Sequence, residues 1–186
     1  MELVLDLLVT AVGVVVVAQY TWSGKGHFSS DRMPRGALVI SAVVLLTSLT
    51  FLYLTWAQPQ PLAAQVVGLA LMGFAWWLFW QAIVASRKGR LRLAFDEEGP
   101  RGLVTDGPYR FVRHPFYVSY VIFWTGWAVA VWTVVAVFPL AILIVIYVFA
   151  ARMEERLFAG TPMAEDYAAY RQRTGFFWPR IGGGPG

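Results

Sequence analysis

Long apolar runs alternate with short polar segments along the whole chain. Runs of about 20 apolar residues are the length that a helix needs to cross a bilayer. The pattern predicts an all-α integral membrane protein with five transmembrane helices, folded as a single membrane domain over residues 1–186. A polar connector loop joins the third and fourth spans, and a short amphipathic helix over 162–173 follows the fifth. The predicted spans are residues 3–22, 37–56, 62–85, 115–132 and 136–151.

Composition supports the membrane class. Hydrophobic residues make up 58% of the 186 residues and charged residues only 14%, against about 25% charged residues in soluble domains. The first apolar run lacks a basic start, so we expect a retained span rather than a signal peptide. Cysteine is absent, which excludes disulfides and thiolate metal sites. His27 and His114 lie far apart in sequence, and no spacing of carboxylates around them suggests a metal site.

The basic residues predict an orientation. All 15 Lys and Arg fall in three polar segments, 24–35, 86–113 and 152–180. Five spans place these segments on one side, which the positive-inside rule makes cytoplasmic, with an external amino terminus. The net charge of +4 therefore indicates topology and contact with anionic lipid, and no nucleic-acid partner is needed to explain it.

The stretch 103–120, LVTDGPYRFVRHPFYVSY, brings polar side chains up to the start of a membrane helix. Gly107-Pro108 indicates a turn, and Pro115 suits the first position of a helix. His114 and Tyr117, three residues apart, would then share one helix face. In the simpler interpretation, Arg113 reaches towards lipid phosphates and His114 only caps the helix.

Glu154 and Glu155 directly follow the fifth predicted span. Carboxylates beside the hydrocarbon layer are costly unless they are paired or used by a ligand. They could form a solvated charge cluster, or bind ribose hydroxyls, an ammonium or a sulfonium. A hairpin of the last two spans would bring them close to His114, at the cytoplasmic edge of the membrane.

The carboxy-terminal segment predicts one more helix. Thr161 is a candidate cap, with Pro162 in the first helical position. Tyr167 and Tyr170 would share a face of this helix, which either lies on the membrane surface or covers a pocket as a lid. Residues 176–179, FFWP, are typical of an interfacial anchor.

Together these motifs resemble the isoprenylcysteine carboxyl methyltransferase family. The features are the G-x-Y-x-x-x-R-H-P-x-Y pattern within 103–120, then EERLF, EDYAAY and an aromatic-Pro-basic-Ile ending, so that the likeness covers roughly 103–181. The family belongs to a wider group of membrane methyltransferases that includes phospholipid N-methyltransferases. The chain departs from the family pattern at Thr161-Pro162, where Phe-Gly is usual.

The resemblance implies S-adenosylmethionine as cofactor and carboxyl O-methylation of a lipophilic, prenylated acceptor. It further implies catalytic roles for Glu154, His114 and Arg152, although Arg152 lies closer to Glu154 than the family's substrate-binding arginine does to its glutamate. The residues that it implies around the cofactor are Arg101, Gly102, Leu103, Val104, Tyr109, His114, Pro115, Phe116, Tyr117, Glu154 and Glu155.

Three alternatives stay open at this stage. A phospholipid amine could be the acceptor; the chain could be an NADPH-dependent membrane reductase of sterol-like substrates; or it could be a non-enzymatic membrane partner protein. A G-x-G-x-x-G after a strand and a P-loop are both absent, so a nucleotide-like cofactor would not sit on a Rossmann sheet. The oligomeric state is not predicted.

Overall fold

The structure is a computed structural model that describes residues 2–26, 35–87, 102–158 and 160–180. Its described parts are helical, which confirms the all-α prediction. Two short 3₁₀ turns, Gly107–Arg110 and Val134–Ala136, precede the fourth and fifth helices. The helices are α1 (Glu2–Gly26), α2 (Arg35–Ala57), α3 (Leu62–Ser86), α4 (Pro115–Ala130), α5 (Val137–Phe158) and α6 (Ala164–Arg173).

Within these described residues, four stretches are long and apolar enough to cross a membrane: Glu2–Ser23, Gly36–Ala57, Leu62–Ser86 and Val134–Phe158. The protein is therefore a multi-pass membrane protein. The sequence predicted five spans, and the difference lies in α4. This helix has 16 residues, about 24 Å at 1.5 Å per residue, whereas the hydrocarbon core of a bilayer is about 30 Å thick.

The end of α5 corrects a predicted boundary. The hydropathy pattern ended the fifth span at residue 151, but the helix continues to Phe158. Hydropathy reports where apolar residues stop, and the next residues, RMEERLF, are mostly good helix formers. Glu154 and Glu155 consequently lie on the helix itself, which holds both carboxylates in fixed directions.

The start of α6 also differs from the prediction. The helix begins at Ala164 and has no side-chain cap. The Thr161 hydroxyl donates to the carbonyl of Phe158 at 2.8 Å, so its hydrogen is used at the end of α5. The Thr161 oxygen still accepts from the Met163 amide at 3.3 Å, so Thr161 closes the turn before α6, and the helix itself begins two residues later than predicted.

Helices α3 and α4 pack backbone to backbone at two glycines. A Cβ at Gly68 would lie 2.5 Å from the Gly126 carbonyl oxygen, and one at Gly126 would lie 2.8 Å from that of Gly68. Small residues at a helix crossing permit this close approach in membranes. The contact holds α4 against α3, and α4 in turn positions the residues at its amino-terminal end.

An aromatic cluster fills the middle of the helix bundle. The rings of Trp124 and Trp127 stack with centroids 5.8 Å apart and an interplanar angle of 6°. Phe51 of α2 meets both rings edge-on, at 5.9 and 5.8 Å. All three side chains are buried. We call Phe51, Trp124 and Trp127 the aromatic floor.

The carboxy-terminal segment returns to the start of α4. Val112 and Gly175 form an isolated parallel bridge. The Arg113 amide donates to the Gly175 carbonyl at 2.8 Å, and the Gly175 amide donates to the Phe111 carbonyl at 3.1 Å. These bonds fasten the chain after α6 beside His114.

Candidate functional site

A cavity of about 490 Å³ lies between α1, α2, α4 and α5. That volume is within the range of small-molecule sites, roughly 300–1,000 Å³. Residues 102–104, Tyr109 and two tyrosines of α6 enclose one end. We call that end, where α4 begins and α5 finishes, the mouth.

His114 lies at the mouth and joins the two glutamates. It is the residue before α4, and Pro115 takes the first helical position as predicted. Its Nδ1 is 3.8 Å from Glu154 Oε2 and its Nε2 is 3.2 Å from Glu155 Oε1. The ring of Tyr117 is 5.8 Å from the imidazole, as expected for two residues on one helix face. The α4–α5 hairpin thus brings the predicted polar groups together.

The two glutamates have different surroundings. Glu154 lines the cavity close to Tyr117. Glu155 does not line the cavity and has a side chain only 11% exposed. Successive residues of a helix point about 100° apart, so only one glutamate of the pair faces a ligand in the cavity.

Arg113 joins Glu155 to the carboxy-terminal segment. Its Nε donates to Glu155 Oε1 at 2.7 Å, and its Nη1 donates to the Thr174 carbonyl at 2.5 Å. The guanidinium also lies 5.7 Å from the centre of the Phe176 ring, within the range of a cation–π contact. The two side chains are only 10% and 11% exposed. Arg113 is therefore a buried cross-link rather than a free lipid-phosphate anchor.

Phe176 and Phe177 pack on the same group of residues. The Phe176 ring meets the His114 imidazole at 5.0 Å, and the Phe177 ring stacks on Tyr117 at 6.4 Å. Trp178, in contrast, is 82% exposed. Of the predicted interfacial anchor, then, two aromatic rings cover the mouth and the tryptophan faces outward.

Helix α6 covers the mouth from the other side. The Tyr170 hydroxyl donates to the Tyr109 carbonyl at 2.7 Å, and the Tyr167 ring stacks on Phe158 at 4.2 Å. Burial raises the pKa of Tyr170 to about 12, so its hydroxyl remains a donor at neutral pH. Tyr167 and Tyr170 both line the cavity, which supports the lid interpretation of α6 over a helix that only lies on the membrane.

Below the mouth the wall is aromatic. The ring of Tyr147 lies 5.9 Å from Tyr117 and 5.4 Å from Tyr120. Trp124 donates from its indole nitrogen to the Tyr147 hydroxyl at 3.1 Å. All four side chains line the cavity. They form a continuous surface from Glu154 towards the aromatic floor.

Most of the residues expected around a cofactor share this cavity. Those that line it are Gly102, Leu103, Val104, Tyr109, His114, Pro115, Phe116, Tyr117 and Glu154. Arg152 is exposed and outside the cavity wall, and Glu155 lies behind it. Arg101 lies outside the described residues.

Sequence reasoning missed Tyr120, Tyr147 and the wall that α2 contributes. Helical spacing could have found the tyrosines. Tyr120 is one turn from Tyr117, and Tyr147 is two turns before Glu154 on the same helix. The α2 wall had no such signal, because apolar residues that face a cavity and those that face lipid are alike in sequence.

The fold and site define a class of protein: a multi-pass membrane protein whose cavity joins a polar mouth to an interior between membrane helices. Residues 63–162, more than half of the chain, match the phospholipid methyltransferase family. The chain belongs to that family, whose members are membrane methyltransferases that act on lipids and use S-adenosylmethionine. This is the wider group that the motifs resemble. No curated protein matches the chain significantly.

Proposed function

We propose that the protein transfers a methyl group from S-adenosylmethionine to the amine headgroup of a phospholipid, at the mouth of the cavity. The observation that carries the proposal is the position of Glu154. Its carboxylate lines a cavity at the end of a membrane helix, and among the described residues no Lys or Arg lies within ion-pairing distance of it. Such a carboxylate favours a cationic ligand.

The residues of the mouth fit the cofactor. S-adenosylmethionine supplies an activated methyl group on a positively charged sulfonium. Glu154 and the ring of Tyr117 complement positive charge through ion pairing and a cation–π contact. The Tyr167 hydroxyl is buried without a hydrogen-bond partner among the described residues, and it lines the same cavity. The Glu155 carboxylate is a nearby acceptor for this hydroxyl, and a ligand carboxylate or ribose oxygen would compete with it.

Methyl transfer to an amine headgroup requires a base beside the acceptor. The amine lone pair forms the new N–C bond, the C–S bond breaks, and its electrons stay on sulfur as a neutral thioether. An ammonium headgroup must first lose a proton. Glu154 and His114, 3.8 Å apart, can accept it at a carboxylate oxygen or a ring nitrogen. In the proposal the enclosing tyrosines exclude water and hold the reacting groups in line.

A prenylated cysteine carboxylate is the second candidate acceptor, favoured by the motif resemblance across 103–181. A carboxylate attacks without losing a proton and would place a second negative charge close to Glu154. The family match supports the phospholipid acceptor more directly.

We further propose that α4 completes a fifth crossing, with the mouth cytoplasmic. At 1.5 Å per residue, α4 is about 24 Å long, which is close to the length of about 26 Å between Val137 and Glu154 in α5. Both helices would then cross the same layer, with the intervening turn completing the span. The basic segments support this orientation through the positive-inside rule.

The test uses purified protein in nanodiscs of phosphatidylcholine and phosphatidylethanolamine, with a farnesylated cysteine peptide added and S-adenosylmethionine labelled on its methyl group. We expect label in phosphatidylethanolamine and none in a farnesylated cysteine peptide. Label in the peptide alone would replace the first acceptor by the second, and the absence of label in either would overturn both.

Variants test the site itself. Isothermal titration should show that Glu154→Gln and His114→Ala lose at least tenfold in cofactor affinity, about 1.4 kcal/mol. Glu165→Gln, at an exposed residue of α6, is the control and should bind normally. Unchanged affinity in both site variants would remove these residues from the cofactor site.

A further inference from the structure

The cavity has a second part, lined by residues other than those expected around the cofactor. One face of α2 lines it through Ala37, Ile40, Ser41, Val44, Leu45 and Ser48. These positions recur every three or four residues and so form one continuous helix stripe. None of the six side chains is charged, and four of them are apolar. This part of the cavity suits hydrocarbon.

The depth of this part matches one lipid leaflet. From Ala37 to Ser48 the stripe rises by 11 residue steps, about 16 Å at 1.5 Å per step. Half of a hydrocarbon core is about 15 Å. On the opposite wall, Trp124 lies nine residues into α4 from its first residue, Pro115, at about 14 Å. The cavity therefore ends near the middle of the bilayer.

The aromatic floor closes the deep end. Trp124 lines the cavity, whereas Phe51 and Trp127 do not and pack directly against it. Trp124 is held by its hydrogen bond to Tyr147. A chain that enters from the mouth would stop at this closely packed group.

The side of the cavity opens along α2. Ser41 and Leu45 line the cavity and are nevertheless exposed, Leu45 at 59%. In a membrane protein these exposed faces meet lipid. A lipid can therefore enter sideways while its headgroup remains at the mouth.

We propose that the α2 stripe and the aromatic floor form a slot for one hydrocarbon chain of the acceptor lipid, drawn from the leaflet on the Glu154 side. The second chain of a diacyl lipid remains in the bilayer. The floor limits the length of chain that fits while the headgroup is at Glu154. This proposal rests on the proposed methylation and adds the part of the acceptor that the slot recognises. The slot wall lies outside the family match, because α2 precedes residues 63–162.

The experiment fills the slot near its deep end. Ser48 is buried on the cavity face, and among the described residues its hydroxyl bonds only to the Val44 carbonyl of its own helix, so Ser48→Trp adds volume at the floor. Leu49→Trp is the control, because Leu49 is 55% exposed and does not line the cavity. Both variants and the unaltered protein are assayed with dihexanoyl and dioleoyl phosphatidylethanolamine.

We expect Ser48→Trp to lower kcat/KM for the dioleoyl acceptor by roughly tenfold, since the buried methylenes of the long chain lose their site. The dihexanoyl acceptor should change less than about threefold, which also shows that the variant is folded and active. Leu49→Trp should resemble the unaltered protein with both lipids. Equal losses with both acceptors, or no loss with either, would overturn the slot.

A binding readout separates the slot from the methylation. A phosphatidylethanolamine carrying a diazirine at the end of one acyl chain is photolysed with the protein in the absence of cofactor. We expect label on Ser48 or Trp124, located to single residues by fragmentation of the peptides, and loss of that label in Ser48→Trp. Labelling confined to outward-facing residues such as Leu49 would refute the slot even if methylation occurs. Slot labelling without methylation would instead refute the proposed function.

Discussion

Replacing Glu155 by alanine removes the carboxylate that Arg113 and His114 share. Its Oε1 lies 2.7 Å from Arg113 Nε and 3.2 Å from His114 Nε2. Both partners of the Arg113–Glu155 pair are about nine-tenths buried. The substitution therefore leaves a guanidinium buried with only the carbonyls of the carboxy-terminal segment as acceptors.

The free-energy cost of Glu155→Ala follows from these contacts. Breaking a buried ion pair by removing one partner costs about 3–5 kcal/mol. Arg113 keeps its 2.5 Å bond to the Thr174 carbonyl, so we expect the lower end, about 3 kcal/mol. At 1.4 kcal/mol per tenfold, the fraction of molecules with the segment released should rise by roughly a hundredfold.

Limited trypsin digestion of the full-length protein in nanodiscs measures this release. Cleavage after Arg171 or Arg173, which are exposed on α6, should become much faster in Glu155→Ala. Cofactor affinity should fall as well, because His114 loses the neighbour that orients its ring. The exposed control Glu165→Ala should leave both quantities unchanged.

Glutamine variants of Glu155 and Glu154 distinguish a positioning role from a role in binding the cofactor. If Glu155 acts by positioning, Glu155→Gln, which keeps an acceptor oxygen, should recover much of the protease resistance and affinity. Glu154→Gln should lose affinity while its tail stays protected. Two results would contradict separate roles for the two glutamates. One is unaltered digestion of Glu155→Ala. The other is that Glu155→Ala and Glu154→Gln show the same tail protection and the same loss of affinity.

Three further outcomes follow from the packing. Gly126→Ala should destabilise the protein by about 1–3 kcal/mol in thermal unfolding, because its Cβ would meet the Gly68 carbonyl. Gly73→Ala is the control and should be neutral, because a Cβ there meets nothing within 4 Å. Equal effects of the two substitutions would contradict the close crossing. Tyr170→Phe orphans the Tyr109 carbonyl and should speed tail digestion by a factor that corresponds to about 1 kcal/mol, whereas exposed Tyr53→Phe should not. Since the pKa of Tyr170 is raised to about 12, ionisation favours the released state as pH rises from about 10 to 12; protection of the tail should decline over that window, and less so in Tyr170→Phe.

The polar residues that converge on the mouth could be recognised from their order along the chain. Pro115 starts α4 because proline is suited to the first helical position, and helical spacing then places Tyr117 beside His114. The apolar runs located α1, α2 and α3 within a few residues of their ends, apart from the extended end of α1. These features depend on local covalent geometry and on the membrane as solvent, which act on each segment separately.

The sequence order does not reveal which of the two glutamates faces the cavity and which one binds Arg113. Glu154 and Glu155 are identical in type and adjacent in sequence, and the choice between cavity and cross-link depends on the rotation of α5 against α4. That rotation is decided by packing between helices, including the Gly68–Gly126 crossing and the aromatic floor. Arg113 similarly resembles a lipid anchor until Gly175 and Thr174 are brought beside it.

By itself, then, the sequence determined how many apolar segments there are, which polar groups flank them and where α4 begins, because hydropathy and backbone restriction are properties of short stretches. Only the tertiary structure decided which glutamate faces the cavity, that α6 covers the mouth, and that α2 forms one wall of the cavity. Those outcomes depend on contacts between residues far apart in the chain, and an apolar side chain has the same identity whether it meets lipid, a neighbouring helix or a cavity.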